Sequence, residues 1–164
     1  MRRRTHLPKW PNDGSPVTWY MGSDFPTLSR DEAIQAYAWA LDNWMAVCGI
    51  DLRQTTNPKT ADITIIVKPI DGLGGILAQS QHPNGTRTKI EQYFDSAEPF
   101  VFKEKHSKYE IDIGRVFAHE IGHVIGLHHL PAGNLMFNSY THIRTPQAED
   151  IAEAVERYGP PKPR

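Results

Sequence analysis

The stretch that decides the fold is HEIGHVIGLHH, which runs from His119 to His129. His119 and His123 are four residues apart, so a helix places them one turn apart on the same face. Both imidazoles can then reach one cation at about 2.0 to 2.1 Å from each nitrogen. Glu120 lies about 100° around the helix from His119, too far round to be a ligand but near enough to reach a water beside the cation. The spacing therefore predicts a metal-binding helix with a general base beside the metal.

Gly126 follows the second histidine by three residues, where a glycine can adopt a left-handed conformation and end the helix. The chain can then double back, so that His128 or His129 supplies a third nitrogen. Three protein ligands leave a fourth position for water, which is typical of a catalytic rather than a structural zinc site. The alternative is an amphipathic helix with surface histidines, which does not account for the fixed spacing. Four further histidines lack ligand spacing and are interpreted as surface residues: His6, His82, His106 and His142.

Length, charge and cysteine content narrow the class of protein. A chain of 164 residues is long enough for one domain with a substantial core and short for two. Lys plus Arg (18) nearly cancel Asp plus Glu (19), and the formal net charge is -1, so we expect no nucleic acid partner. No apolar stretch is long enough to span a bilayer, so we expect no membrane partner. We also expect the chain to be a monomer. Cys48 is the single cysteine, which rules out an internal disulfide.

The order of the predicted elements indicates an α+β fold. Strands are predicted at residues 17–21, 50–54, 61–68, 76–80 and 88–94, and helices at residues 30–47, 113–125 and 146–158. A strand–helix–strand order implies a parallel crossover unit, so the sheet is expected to be mixed. Residues 95–110 are predicted to form a connecting loop. We assign residues 1–16 to a surface arm, 17–159 to a single domain and 160–164 to a flexible tail.

Local signals mark where the predicted helices begin. Ser29 followed by Glu32 forms a capping box at the start of the first helix. Thr145 is expected to be the N-cap of the third helix, with Pro146 at its first position. Cys48 continues the apolar face of the first helix, so we interpret it as core packing rather than as a reactive thiol.

The stretch at residues 119–129 resembles the zinc-binding motif of the metzincins, H-E-x-x-H-x-x-G-x-x-H, in which His129 is the third ligand. Asn134-Leu135-Met136 follows at the distance where metzincins place their Met-turn. Within that group the chain is most similar to the matrixins, the catalytic domains of matrix metalloproteinases. The agreement in order extends over nearly the whole chain, although only the zinc motif and the Met-turn are sharply specific. Supporting matches include Trp10, Trp44, Ala61-Asp62-Ile63, Phe94-Asp95 and Asp150-Ile151.

The resemblance implies the zincin fold, with a five-stranded, mostly parallel sheet, one antiparallel edge strand and three helices. It implies a zinc-dependent endopeptidase whose edge strand, here residues 76–79, binds an extended protein or peptide substrate by main-chain hydrogen bonds. The zinc ligands would be His119, His123 and His129, with Glu120 as the general base and Met136 as an apolar floor. The substrate-binding positions carried over are Leu77, Ala78, Arg115, Asn138 and Tyr140.

Arg115 lies four residues before His119, at a position that in matrixins contributes to the base of the pocket for the residue after the cut. A long cation there can shorten the pocket or bind an acidic group, and we favour shortening. Leu130 and Asn138 depart from the Ser and Pro that matrixins usually carry at these positions.

The resemblance also bears on the number of metals. Vertebrate matrixins hold a second, structural zinc through histidines, but Gln79 and Tyr93 stand at two of those positions, so we expect one zinc. The family's calcium positions persist, and their oxygen ligands suit Ca²⁺ better than Zn²⁺. They are Asp71, Gly72, Gly74, Ile76, Asp95 and Glu98. The alternative is a glycine-rich turn that simply has acidic neighbours.

Two rival hypotheses accompany this prediction. A zinc-stabilised binding module without turnover would have no need of Glu120 beside an open metal position. A different metzincin, astacin-like or reprolysin-like, is less favoured by the residues around Met136 and Tyr140. The resemblance implies an extracellular location, although no signal peptide is visible in this sequence.

Overall fold

The computed structural model describes residues 7–163, which contain ten helices and strands. They are β1 (Val17–Met21), α1 (Arg30–Met45), β2 (Leu52–Gln54), β3 (Ile63–Lys68), β4 (Ala78–Ser80), β5 (Ile90–Asp95), β6 (Phe100–Val101), β7 (Ile111–Asp112), α2 (Ile113–Val124) and α3 (Ala148–Tyr158). None of the described helices is both long enough and apolar enough to cross a membrane.

Five of the strands form one sheet in the order β2-β1-β3-β5-β4. The β1–β2, β1–β3 and β3–β5 pairs are parallel, whereas β4 runs antiparallel to β5 at the edge. Ile63 and Ile65 alternate into the core from the central strand β3, where both are fully buried. The predicted α+β fold, with three helices and a mostly parallel sheet that has one antiparallel edge strand, is confirmed.

Helix α1 packs against α2, and α2 in turn contacts the edge strand β4. The predicted capping box is present: Ser29 Oγ accepts from Glu32 N (3.1 Å) and Glu32 Oε1 accepts from Ser29 N (3.2 Å). Trp44 is fully buried, and its indole Nε1 donates to the Ala118 carbonyl of α2 (2.8 Å). Cys48 is fully buried as well, which confirms its assignment to the core.

Several predicted boundaries were wrong. Helix α1 ends at Met45 rather than at residue 47, and β2 to β5 each begin two residues later than predicted. The predicted loop at 95–110 contains β6, which pairs in parallel with β7. Helix α3 begins at Ala148 and not at residue 146, because the Asp150 carboxylate accepts from Gln147 N (2.7 Å) and so makes Gln147, rather than Thr145, the N-cap.

The segment before β1 is tied to the core more firmly than a surface arm would be. Trp10 is only 1% exposed, and its indole Nε1 donates to the Val124 carbonyl at the end of α2 (2.7 Å). Tyr158 of α3 donates to the neighbouring Ile125 carbonyl (2.6 Å). These bonds satisfy carbonyl groups that a helix end leaves without partners. The boundaries of the arm, the domain and the tail stay predictions, and residues 1–6 and 164 lie outside the described part.

Candidate metal centre and active site

A cleft of about 790 Å³ separates the edge strand β4 from helix α2. The strand and the helix contribute its two long walls, and the segment that follows the Met-turn contributes part of the third side. Because β4 lies at the edge of the sheet, one side of its main chain is not paired within the sheet. The cleft therefore combines a free strand edge with the helix that carries the histidine motif.

Three histidines meet at the floor of this cleft. His119 and His123 extend from α2, and His129 returns to them after Gly126, whose φ of +101° turns the chain at the helix end. Their ligand atoms lie within 4.8 Å of one another. Glu120 and His128 are not members of this group, so the structure brings together His129 rather than His128.

Two hydrogen bonds orient the histidine rings for a metal. His119 Nδ1 lies 2.8 Å from the Leu135 carbonyl and His123 Nδ1 lies 2.9 Å from the Leu127 carbonyl. A carbonyl oxygen only accepts, so each Nδ1 carries the proton and each Nε2 keeps its lone pair. His123 Nε2 lies 3.2 Å from His129 Nε2. Two nitrogens on a tetrahedral zinc at about 2.0 to 2.1 Å are separated by about 3.3 Å, so the residues present fit zinc.

The environment favours neutral histidines. Burial lowers the pKa of His119 to about 3 and that of His123 to about 4, and it also lowers the pKa of His129. Neutral imidazole is the form that binds metal, so the ring nitrogens need not lose a proton near neutral pH.

Glu120 is a buried carboxyl beside the histidines. Burial raises its pKa to about 7, against a hydrogen bond from Ser80 that lowers it. Ser80 Oγ donates to Glu120 Oε2 at 2.6 Å from the edge strand. A carboxyl whose pKa is near neutral can both accept and return a proton, which suits a general acid–base group.

Comparison with known proteins agrees with this geometry, since the family model of matrixin matches residues 9–159. The chain belongs to the matrixin family. It is 33% identical over 135 residues to Metalloendoproteinase 1 of Glycine max, an alignment that covers 75% of this chain and 42% of the relative. Stromelysin-3 of Rattus norvegicus is 32% identical over 127 residues, which cover 73% of this chain and 25% of the relative. Matrix metalloproteinase-25 of Homo sapiens is 28% identical over 137 residues, which cover 76% of this chain and 24% of the relative. This matrixin therefore spans less than half the length of these relatives.

The Met-turn of this matrixin packs directly against α2, the helix that carries His119 and His123. Met136 is fully buried, and a Cβ added at Gly122 would lie only 2.2 Å from its sulfur, so the glycine of the motif makes room for the methionine. Asp150 Oδ2 and Oδ1 accept from the backbone N–H groups of Leu135 (2.7 Å) and Met136 (3.0 Å). Since the Leu135 carbonyl holds His119, Asp150 supports this histidine through the Met-turn.

The predicted substrate-binding residues of this matrixin all line the cleft: Leu77, Ala78, Arg115, Asn138 and Tyr140. Arg115 points inward and is 4% exposed. Its Nη2 donates to the Ser139 carbonyl (2.9 Å), and its guanidinium carbon lies 5.5 Å from the centre of the Tyr140 ring. Nε is buried without a hydrogen-bond partner among the described residues.

The predicted calcium positions come together around the loop at 71–76, although not as a cluster of ligands. Asp95 Oδ2 accepts from the amides of Asp71 (3.2 Å) and Gly72 (3.0 Å), and Glu98 Oε1 accepts from Gly74 N (2.8 Å). Asp71 Oδ2 in turn accepts from Ile76 N (2.8 Å). Within residues 7–163, His119, His123 and His129 are the one group of three His, Cys, Asp or Glu side chains close enough to share a metal. The calcium assignment stays a prediction.

Sequence reasoning missed several residues at this site. His82, interpreted only as a surface residue, is exposed but lies against the cleft, where its Nδ1 is 3.2 Å from the His123 carbonyl. The sequence places Ser80 in the edge strand without indicating a role for it, and no motif singles out Gln92, which donates to Ser80. Ser80 contacts Glu120, and Gln92 contacts Ser80, only because of the strand register, which no local motif specifies.

Proposed function

We propose that this matrixin is a zinc-dependent endopeptidase that hydrolyses peptide bonds in extended protein or peptide segments. The observation that carries the proposal is the group of three neutral histidines beside the buried Glu120, in a cleft that runs along a free strand edge. Three ligands leave one position open, which is the arrangement of a catalytic zinc site.

An extended segment would bind by adding a strand to the free edge of β4. Main-chain hydrogen bonds would supply sequence-independent affinity, with Leu77 and Ala78 at the start of this edge. Side chains of the segment would alternate between the cleft and solvent. The side chain after the cut would enter the space in front of Arg115 and Tyr140, where the buried cation shortens the pocket.

Zinc held by His119, His123 and His129 would supply Lewis acidity towards the scissile carbonyl and the attacking water. Glu120 would take the proton of that water and later hand it to the leaving nitrogen. Its buried position excludes bulk water, and its raised pKa matches both steps near neutral pH. An extracellular setting, with a protein or peptide as the partner, is part of the same proposal.

Peptide-library cleavage with mass-spectrometric readout tests this function. We expect wild type to cleave, to contain about one zinc by elemental analysis, and to lose activity on chelation and regain it with added zinc. Glu120→Gln should retain the zinc and lose about 10²- to 10⁴-fold in kcat, since it removes the general base. Glu149→Gln, on the exposed start of α3, is the matched control.

The rival hypothesis is a zinc-stabilised binding module without turnover. Under that hypothesis wild type and Glu120→Gln would hold equal zinc and bind peptides equally, and neither would cleave any library member. Cleavage by Glu120→Gln at the wild-type rate would instead contradict the assigned general base.

A further inference from the structure

A row of side-chain hydrogen bonds connects the buried core to Glu120. Tyr37 of α1 donates its hydroxyl to Gln92 Oε1 of β5 at 2.6 Å. Gln92 Nε2 donates to Ser80 Oγ of β4 at 3.0 Å, and Ser80 donates to Glu120 Oε2 of α2 at 2.6 Å. Four residues from four different elements therefore form one continuous row that ends on the carboxylate.

The row has a defined direction. Tyr37 and Gln92 are fully buried, so their polar atoms depend on each other and on Ser80 for partners. Gln92 presents its oxygen to Tyr37 and its amide nitrogen to Ser80, which leaves the single hydroxyl proton of Ser80 for Glu120. If the amide were turned over, Ser80 would have to donate to Gln92, and Glu120 Oε2 would lose its donor.

Strand register brings the row to this place. Ser80 and Gln92 are directly opposite each other in the antiparallel β4–β5 pair. Ser80 also lies on the strand whose free edge would receive the substrate, so one residue is linked both to the binding strand and to Glu120. A serine at this position would therefore set the carboxylate relative to a peptide bond bound along the strand.

We propose that Ser80, Gln92 and Tyr37 are positioning residues that hold one oxygen of Glu120, Oε2, towards the edge strand and leave Oε1 to take the proton. The inference rests on the proposed function, because it assigns the orientation of the general base in that reaction. Small displacements of a catalytic group lower the reaction rate, so the orientation of Glu120 matters. A hydrogen bond to an ionised carboxylate is stronger than one between neutral groups, so Ser80 can hold that orientation.

Kinetics of the zinc-loaded full chain provide the first test. Ser80→Ala should lower kcat about tenfold or more, change KM less than about twofold and leave the zinc content at the wild-type level. Ser80→Thr keeps the hydroxyl and should recover most of kcat. A kcat of Ser80→Ala equal to that of wild type, or a loss confined to KM, would overturn the proposal.

A double-mutant cycle separates a connected row from independent packing effects. Tyr37→Phe retains the ring and removes only the hydroxyl at the start of the row, so kcat should fall less than in Ser80→Ala. Tyr37→Phe combined with Ser80→Ala should be no slower than Ser80→Ala alone, because the row is already broken. Additive losses would show that the hydroxyls act separately. The control is Tyr93→Phe, which removes a β5 hydroxyl that bonds to Glu91 instead.

The side-chain amide of Gln92 gives a readout that does not depend on activity. In ¹⁵N-labelled, zinc-loaded protein we expect this amide to exchange slowly with solvent and to shift in Glu120→Gln, and the shift to disappear when Ser80→Ala is added. An amide that does not respond to Glu120→Gln would overturn the proposal. Cleavage by Glu120→Gln at the wild-type rate would instead count against the proposed function, while the amide response would still decide whether the row exists.

Discussion

At the scale of single residues, the burial of Arg115 leads to our clearest prediction about substrate specificity. Burial lowers the pKa of its guanidinium, and its Nε lacks a hydrogen-bond partner among the described residues. A long side chain placed against Tyr140 takes up volume at one end of the cleft. The buried cation also means that an acidic group entering the pocket would find a charge to pair with.

Arg115→Ala should widen the pocket and raise kcat/KM about tenfold for substrates with a bulky apolar side chain after the cut. The reason is that room for even one more methylene in an apolar pocket changes kcat/KM by about tenfold or more. Competitive cleavage of peptides that differ only at this position measures the change. Arg53→Ala is the control, because Arg53 is an exposed cation on the opposite edge strand β2. An unchanged profile would exclude a role for Arg115, and a wild-type preference for Asp or Glu would favour the acidic alternative over shortening.

At the scale of elements, the site depends on how α3 supports α2 through the Met-turn. The Asp150 carboxylate accepts hydrogen bonds from the backbone N–H groups of Leu135, Met136 and Gln147. It therefore joins the start of α3 to the Met-turn. Asp150 is fully buried, which leaves those three donors no alternative acceptor in water. Residues that support a metal ligand in this way influence metal affinity as well as stability.

Asp150→Asn should reduce the free energy of unfolding by about 2 to 4 kcal/mol. The side-chain NH₂ group replaces one accepting carboxylate oxygen, so at least one buried backbone N–H loses its hydrogen-bond partner. The zinc dissociation constant should rise about 10- to 100-fold, since His119 is held by the displaced turn. Urea unfolding and competition with a chromogenic chelator measure the two quantities. Glu149→Gln, one residue earlier and exposed, should match wild type in both. Loss of stability with unchanged zinc affinity would contradict the support of His119.

The loop at residues 71–76 and the end of β5 allow a second prediction at this scale. Asp95 and Glu98 are buried carboxylates that accept hydrogen bonds from backbone N–H groups of the loop. A calcium ion bound beside them would interact favourably with their negative charges. Added calcium should raise the Tm of wild type and have less effect on Asp95→Ala, in differential scanning calorimetry. Magnesium serves as the control cation because it demands stricter geometry. If calcium changes the Tm of neither protein, the acidic neighbours belong to an ordinary turn.

At the scale of the whole molecule, the segment before β1 closes the structure around the end of α2. Trp10 reaches the last turn of α2, and Asp13 forms an ion pair with Arg87 in the loop before β5 (2.8 Å). Arg87 also donates to the carbonyls of Ser15 and Pro16. One guanidinium therefore holds the segment against a loop more than 70 residues away in sequence.

This ion pair predicts a pH-dependent contribution to stability. The hydrogen bond from Arg87 lowers the pKa of Asp13 to about 2, below its ordinary value of 3.8. The stabilisation is therefore fully present above pH of about 4 and is lost as the pH falls through about 2. Urea unfolding of wild type and Asp13→Asn should differ at pH 6 and converge towards pH 2. The control is Asp24→Asn, an exposed partner of Arg30. A difference independent of pH would show that the Asp13 charge is not involved.

The sequence by itself determined those features that depend on neighbours within a turn or two. The spacing of His119 and His123, the turn at Gly126 and the capping box at Ser29 all follow from helix geometry and hydrogen bonds to adjacent residues. The order of strands and helices was predictable for a similar reason, because apolar periodicity reflects which side of each element faces the core. The ends of elements were less predictable. Asp150 accepts from Gln147 at the start of α3 and also from the distant Met-turn amides of Leu135 and Met136, so its orientation depends on tertiary contacts.

Only the tertiary structure decided which distant residues meet. Tyr37 and Gln92 are 55 positions apart and Ser80 and Glu120 are 40 apart, and nothing in their local sequence predicts that they touch. Their contact requires the β4–β5 register, the packing of α1 on α2 and the burial of Tyr37, Gln92 and Glu120. Trp10 and Arg115 depend equally on what surrounds them, because burial is a property of the folded molecule. Local chemistry thus specified the spacing of the candidate metal ligands on α2, whereas packing specified which side chains surround Glu120 and line the cleft.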